Sequence, residues 1–444
     1  MKLLFAAAPF SGHVNPLLGT AQLLAEAGHE VGFYTGTRQR DAVERTGATL
    51  FPLPDDVDFD LHNIDAQFPD RARHAPGIER MIYDFKTLFI GPMTSQYRGL
   101  KQLLLNFDAD AIIYEHLFYG AVPMYFKPWQ PRPALIGCGI TYLTTPRQDH
   151  GPHGPALPFA TDEATRQAYR LETGPAVAAA VQPLQDFYTE TLRGLGVDDH
   201  RSNFGNAPTV LADAFWQTTV PSFDYPQSEN GPDITFMGAM PQVSSTTPLP
   251  PWADELEKFG RVVLITQGTV ANDDLTALVS PALAALADEA DTLVLVTGGG
   301  RALDELGNLP ANARVATYLP FDWLMPKIDL LITNGGYGTV NQALAAGVPI
   351  IVGGSTEDKP EVSARIAWSG AGINLKTATP TPEAIRDAFR QIFDGVTFRN
   401  RIREIADEFG RFDSAGIILQ SLSSVVEQRP ATWLPVGRRA GSAD

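Results

Sequence analysis

Two segments of the chain hold residue types suited to chemistry on a charged or hydroxylated small molecule. The first is Asp329-Leu330-Leu331-Ile332-Thr333-Asn334-Gly335-Gly336-Tyr337-Gly338-Thr339, an apolar run entering a glycine-rich turn and then a helical pattern from Thr339. Glycines let a backbone approach a ligand, and the free N–H groups of a helix's first turn point toward negative charge. The segment reads either as an anion site or as a tight turn that needs glycine only for shape. The second is His13, in Gly12-His13-Val14-Asn15-Pro16. An unperturbed imidazole titrates near pH ~6.5, which suits it to take a proton from a hydroxyl at neutral pH. A histidine here is also placed to cap the following helix. To act as a base it must be neutral, because an imidazolium cannot accept the proton and is disfavoured at the positive end of a helix. The acidic pairs Asp55-Asp56, Asp198-Asp199 and Asp273-Asp274 are isolated and read as surface turns, so no carboxylate cluster suggests a metal site.

Both segments need strands and helices to hold them. Residues 2–8 read as a buried strand and 9–14 as a loop, with Asn15 as N-cap and Pro16 as the first helical residue. Leu17, Leu18, Ala21, Leu24 and Ala25 recur on one helical face, Gly28 closes the helix, and 31–34 is the next strand. This is a βαβ opening, the start of a parallel sheet. Further strands are predicted at 111–114, 134–138 and 209–211, with a long helical stretch over 77–107. Between 220 and 252, seven prolines fall among Ser, Thr, Asn and Gly, which is linker chemistry. The alternation then restarts, with strands at 261–266, 292–297, 328–333 and 348–352 and helices at 275–286 and 339–346. Residues 381–426 read as helical. Two successive halves of this kind predict an α/β fold of two doubly wound domains facing across a cleft, with ligands beyond the carboxyl ends of the strands.

Length and composition agree. A chain of 444 residues exceeds one compact core, and 44% hydrophobic with 19% charged residues is globular. The net charge of -17 repels nucleic acid and anionic lipid, so neither is expected as a partner. The single cysteine, Cys138, excludes an internal disulfide and reads as a small buried apolar residue. No signal-peptide pattern or membrane-length apolar run occurs, and a cytoplasmic location is expected.

The glycine-rich segment, with residues 342–349 after it, resembles the donor-binding signature of the family 1 glycosyltransferases. Bacterial macrolide and natural-product glycosyltransferases are the most similar group. The resemblance runs from Gly12-His13-Val14-Asn15-Pro16 to Arg365-Ile366-Ala367 and is thin over about 55–230, where such families vary with acceptor. It implies the GT-B architecture of two Rossmann-like domains. The expected division is 1–222 for acceptor binding, 223–252 as linker and 253–410 for the nucleotide sugar. A C-terminal helix over 411–430 then crosses back to the first domain, and 431–444 is a loose tail.

The resemblance also implies roles. Tyr318 stacks on the nucleobase, and the Leu319 backbone bonds the base edge. Gln267, Gly268 and Thr269 reach the diphosphate, as do Gly336, Gly338 and Thr339 at the helix start. Asp358, beside Glu357, binds sugar hydroxyls, although it also reads as a solvated loop carboxylate. Three positions depart from the family pattern. Asn334 stands where a phosphate-contacting His is usual, Gln342 where a ribose-binding Glu is usual, and Lys359 where a sugar-binding Gln is usual. Gln342 suits a deoxyribose donor, dTDP in place of UDP. His13 takes the role of general base, and Glu115 that of the carboxylate orienting it, with His116 an adjacent rival. Phe85, Phe89, Phe118, Tyr119, Tyr125, Phe126 and Tyr142 are candidates for an apolar acceptor pocket near His13, and each is also readable as core. Residues 150–160, rich in proline and glycine, are placed to cover the acceptor.

The implied reaction is a single inverting displacement. A hexose or deoxyhexose moves from a UDP- or dTDP-sugar to a hydroxyl of a small hydrophobic natural product or antibiotic. The nucleotide sugar is a co-substrate, with no cofactor or metal. Monomer and homodimer both stay open. Two alternatives are a nucleotide-sugar epimerase, which needs acid/base groups on both faces of the sugar, and a non-catalytic auxiliary protein. A dinucleotide oxidoreductase is set aside, because residues 9–15 offer only Gly12 where its fingerprint needs three glycines.

Overall fold

The structure is a computed structural model, and it describes residues 1–428 apart from 61–63, 76, 128–131, 199, 201, 230 and 269–273. Near-continuous runs of Val, Ile, Leu and Phe form strands buried on both faces, which is the pattern of an all-parallel sheet covered by helices. The first half supplies β1 (Lys2–Ala6), β2 (Glu30–Thr35), β3 (Thr49–Pro52), β4 (Ala111–Glu115), β5 (Ala134–Gly139), β6 (Ala214–Gln217) and β7 (Ile234–Phe236). They pair in the order β3-β2-β1-β4-β5-β6-β7. The second half supplies β8 (Arg261–Thr266), β9 (Thr292–Thr297), β10 (Ala313–Ala316), β11 (Leu330–Thr333), β12 (Ile350–Val352) and β13 (Gly372–Asn374), in the order β10-β9-β8-β11-β12-β13. The chain is thus an α/β protein of two doubly wound parallel sheets.

Strand order reverses between β1 and β4 in the first sheet and between β8 and β11 in the second. The crevice beyond the carboxyl ends of such neighbours is where open α/β sheets bind ligands. The registers Ala6↔Tyr114 and Thr266↔Thr333 bring the residues after β1 and β8 beside those after β4 and β11.

The helices that matter for the site are α1 (Ser11–Glu26), α2 (Ile78–Asp84), α3 (Met93–Leu104), α4 (Val279–Leu286), α5 (Tyr337–Ala345), α6 (Lys359–Ser369) and α7 (Ser414–Glu427). A π-helical turn, Phe85–Ile90, follows α2 directly, and Gly91 N–H donates to Lys86 O at 2.9 Å across a five-residue step. Leu17, Leu18, Ala21 and Leu24 of α1 share a core with β1, β2, Trp216 and, from α7, Ile418 and Leu422.

Several local expectations change. Helix α1 starts at Ser11 rather than at the expected Asn15 cap; Phe10 precedes it, with no side-chain cap, and Pro16 lies inside. Burial of Phe10 in a small aromatic cluster holds the chain helical ahead of the proline. Residues 207–210 are a short helix with Pro208 in its first turn, and the expected strand at 209–211 forms instead at β6. Within the proline-rich stretch, β7 adds an edge strand to the first sheet through Phe215↔Ile234.

Candidate active site

The start of α1 places His13 in its first turn, immediately beyond β1, and not in a preceding loop. Glu115 closes β4, the neighbouring strand, with no exposed surface. Its Oε1 accepts from Ala8 N–H at 3.1 Å and its Oε2 from Leu117 N–H at 2.7 Å. His13 Nδ1 lies 3.1 Å from Glu115 Oε1, a hydrogen-bonding distance without the alignment of a finished bond. Such contacts commonly tighten only when substrate is present. Burial pushes the Glu115 carboxyl up, but His13, His116 and the Leu117 N–H outweigh it and hold the group below the usual carboxylate range. Glu115 therefore stays ionised at neutral pH. Burial lowers the neighbouring His116 to about 4, and its Nδ1 accepts from Ile140 N–H at 3.4 Å.

Around His13 the chain gathers aromatic rings. Phe89 stacks on the imidazole with centroids 5.6 Å apart and planes at 25°, and Phe10 meets it edge-to-face at 5.4 Å. Phe85 lies 5.3 Å from Phe89. Phe59, Ile64 and Phe68 join Phe10, Leu88 and Phe89 in one apolar cluster beside the histidine. Phe59 and Phe68 join the cluster without having been expected there; they fall in a stretch without regular hydrophobic periodicity, and only aromatic content signals them.

The other expected acceptor contacts lie elsewhere. Phe118 and Tyr119 are core residues, 0% and 1% exposed, and the Tyr119 hydroxyl donates to Phe204 O at 2.7 Å. Tyr125 shares a buried hydroxyl contact with Tyr114 at 2.9 Å, and Phe126 packs against that same core. Tyr142 faces the second domain, with the Arg365 guanidinium 4.4 Å from its ring. Apolar type alone does not say which side of a sheet a ring covers.

At the second switch point, Gly335 takes a left-handed φ of 98°, and a Cβ there would come within 2.9 Å of Val352. Beyond it α5 begins without a side-chain cap. A Cβ built on Gly336 or Gly338 meets nothing within 4 Å, so the space before the helix start is open. The first-turn N–H groups there, with the helix dipole, suit an anion. Thr339 and Gln342, three apart, are half-buried on one side of α5. Tyr318 is 52% exposed while Leu319 is buried, which leaves the ring available for stacking.

The Gln267 side chain is engaged within the protein. Its Nε2 donates to Asp274 O at 2.9 Å and its Oε1 accepts from Val279 N–H at 3.3 Å, so the side chain ties down the start of α4. Asn334 Nδ2 donates to Gln267 O at 2.6 Å, joining the two loop ends rather than facing outward through that hydrogen. Gly268 adopts φ of 73°, and Thr269 lies outside the described residues.

The two domains meet through the same carboxyl-end loops. Gln217, the last residue of β6, donates to the Tyr337 hydroxyl at 2.7 Å. Thr141 donates to Asp358, just ahead of α6. Burial raises the Asp358 carboxyl against the opposing pull of Lys359 and Thr141. Glu357, exposed and at a left-handed φ of 56°, pairs with the Lys359 ammonium. Behind them Arg365, wholly buried, binds Asp224 at 2.6 Å and Glu361 at 2.7 Å. Glu361 in turn accepts the N–H groups of Gly154 and Ala156 at 2.6 and 3.0 Å, so loop 150–160 is tied to α6. Among the described residues no group of three or more His, Cys, Asp or Glu could hold a metal ion, and no helix is long and apolar enough to cross a membrane.

Residues 281–415 match the C-terminal domain family of erythromycin biosynthesis protein CIII-like proteins. The chain is 37% identical to 4'-demethylrebeccamycin synthase of Lentzea aerocolonigenes over 415 residues, 93% of this chain and 96% of that one. It is 33% identical to UDP-glycosyltransferase 2 of Phaeomoniella chlamydospora, over 97% of this chain and 96% of that one. The solved structure of glycosyltransferase VinC in complex with dTDP superposes with a TM-score of 0.66 at 20% identity, covering 96% of this chain and all of that one. With two facing α/β domains and these relatives along nearly its full length, the chain belongs to the family 1 glycosyltransferases of GT-B fold.

Proposed function

We propose that the enzyme moves a hexosyl or deoxyhexosyl group, with inversion, from a UDP- or dTDP-sugar to a hydroxyl of a small, largely apolar natural product. The observation that carries this reading is the contact of His13 with the buried, ionised Glu115 at the first switch point. His13 Nε2 takes the acceptor's proton as the acceptor oxygen bonds to the anomeric carbon. The bond from that carbon to the diphosphate oxygen breaks, and the nucleoside diphosphate leaves with the electron pair. Glu115 steadies the imidazolium that forms. The N–H groups at Gly338 and Thr339 stabilise charge growing on the leaving phosphate, as preorganised donors do. Tyr318 and the Leu319 backbone hold the base, Gln342 the sugar of the nucleoside, and Asp358 with Glu357 the transferred sugar. Phe59 and Phe68, the half-buried rings of the cluster beside His13, take the apolar body of the acceptor. The rebeccamycin relative supports a natural-product acceptor; the names of the other two support UDP and dTDP respectively.

Calorimetric titration of the purified chain with UDP and with dTDP in metal-free buffer tests the donor reading. Binding of either supports it and names the nucleotide. Heat from neither would overturn it.

A further inference from the structure

His13 and Glu115 are close but not aligned, so the carboxylate alone does not fix the plane of the imidazole. Two aromatic rings do, Phe89 across one face and Phe10 edge-to-face. These rings are themselves placed firmly. Phe10 is 3% exposed at the start of α1, and Phe89 is braced by Phe85 at 5.3 Å and Phe10 at 6.2 Å. The π-helical turn brings Phe85 and Phe89 together on one side, and π-helical turns in α-helical segments concentrate at functional sites.

We propose that Phe89 is a positioning residue for the proton transfer: its ring holds the imidazole plane, and its π face stabilises the imidazolium formed when His13 takes the acceptor's proton. The proposal rests on His13 being the base. An aromatic face attracts a cation, more strongly where water is excluded, and the His13 side chain is 15% exposed. The attraction opposes the helix dipole, which disfavours positive charge in the first turn of α1. Among the described residues, the titratable groups beside His13 are Glu115 from β4 and its neighbour His116, which burial keeps neutral. On the π-helical turn only Lys86 carries charge, and its ammonium lies over the Phe187 ring at 5.6 Å. In α1 the acidic residue is Glu26, at the far end. Substituting Phe89 therefore changes the surroundings of the imidazole without changing their net charge.

The test is a histidine NMR titration of the full chain, with the His13 signal assigned by its loss in His13→Ala. In Phe89→Leu the His13 titration should move to lower pH by about half a unit to one unit, the size expected for losing a cation–π contact. Phe89→Tyr should titrate near the parent protein and Phe89→Trp at higher pH. Turnover of Phe89→Leu should fall severalfold, chiefly in kcat. A purely packing role would raise KM and lower Tm while leaving the titration where it was, and that result would overturn the proposal. Should Phe89→Leu not fold, identical His13 titrations in Phe89→Tyr and Phe89→Trp would overturn it instead. Retained turnover in His13→Ala would defeat the base reading itself. An inactive His13→Ala with an unmoved titration in the Phe89 variants defeats only the role of Phe89.

Discussion

The proposed chemistry turns on a proton taken by His13 with Glu115 beside it, and each side chain predicts its own failure. His13→Ala should cut kcat by about 10²–10⁴, the usual worth of a positioned base, while dTDP or UDP affinity by calorimetry stays unchanged. Glu115→Gln keeps the shape but removes the charge that steadies the imidazolium, and should lower kcat at least ~10-fold with the nucleotide affinity again intact. Equal weakening of nucleotide binding in either variant would point to a damaged fold. The nearness of His13 to a carboxylate was legible through the family resemblance, and its role as base is a proposal. Glu115 at the end of β4 was legible in the same way. Phe118 and Tyr119 were not, since an aromatic ring fills a core and a ligand pocket by the same physics. The side-chain bonds of Gln267 were not legible for a related reason: an amide serves a turn as readily as a ligand, and the choice depends on loop geometry that spacing does not reveal.

At the scale of elements, the long buried runs such as β1, β4, β5, β8 and β9 were read well because they are unmixed, and the helix after β11 because glycines mark its start, while the short strands β3, β6, β7, β10 and β13 were missed. The helix ends were read less well. Pro16 fits a first helical position, yet the burial of Phe10 carries α1 five residues upstream of it, which moves His13 from a loop into a turn. The open start of α5 carries the prediction at this scale. Gly338→Ala adds a methyl group that meets no protein atom and, being helical, should raise Tm slightly, since alanine favours a helix by about 0.5–1 kcal/mol over glycine. The same methyl group crowds the space before the helix, so nucleoside diphosphate affinity should drop about tenfold, or ~1.4 kcal/mol. Thermal melts and calorimetry on one preparation separate the two effects. Unchanged affinity would remove the start of α5 as the phosphate site.

Across the whole molecule, the two α/β halves were visible in their repeated alternation, but the contacts joining them were not. Arg365, Asp224 and Glu361 lie far apart in sequence from Tyr142 and loop 150–160, and no periodicity links them. Arg365→Met should destabilise the chain by about 3–5 kcal/mol in a urea titration, because it strands two buried carboxylates. Adding Asp224→Asn and Glu361→Gln should recover much of that loss, as buried ion clusters are often replaceable as a unit. A single variant as stable as the parent would show that the cluster is hydrated in solution.

Helix α7 has a consequence for how the protein is made. Ile418 and Leu422 complete the core shared by α1, β1 and β2, and Ser421 accepts from Trp216 Nε1 at 2.9 Å. During synthesis from the N-terminus, the first domain therefore waits with an apolar face uncovered until α7, beyond all the strands of the second sheet, has emerged. Domains ordinarily fold in turn as they emerge. Here the first domain is finished only after the strands of the second have been made.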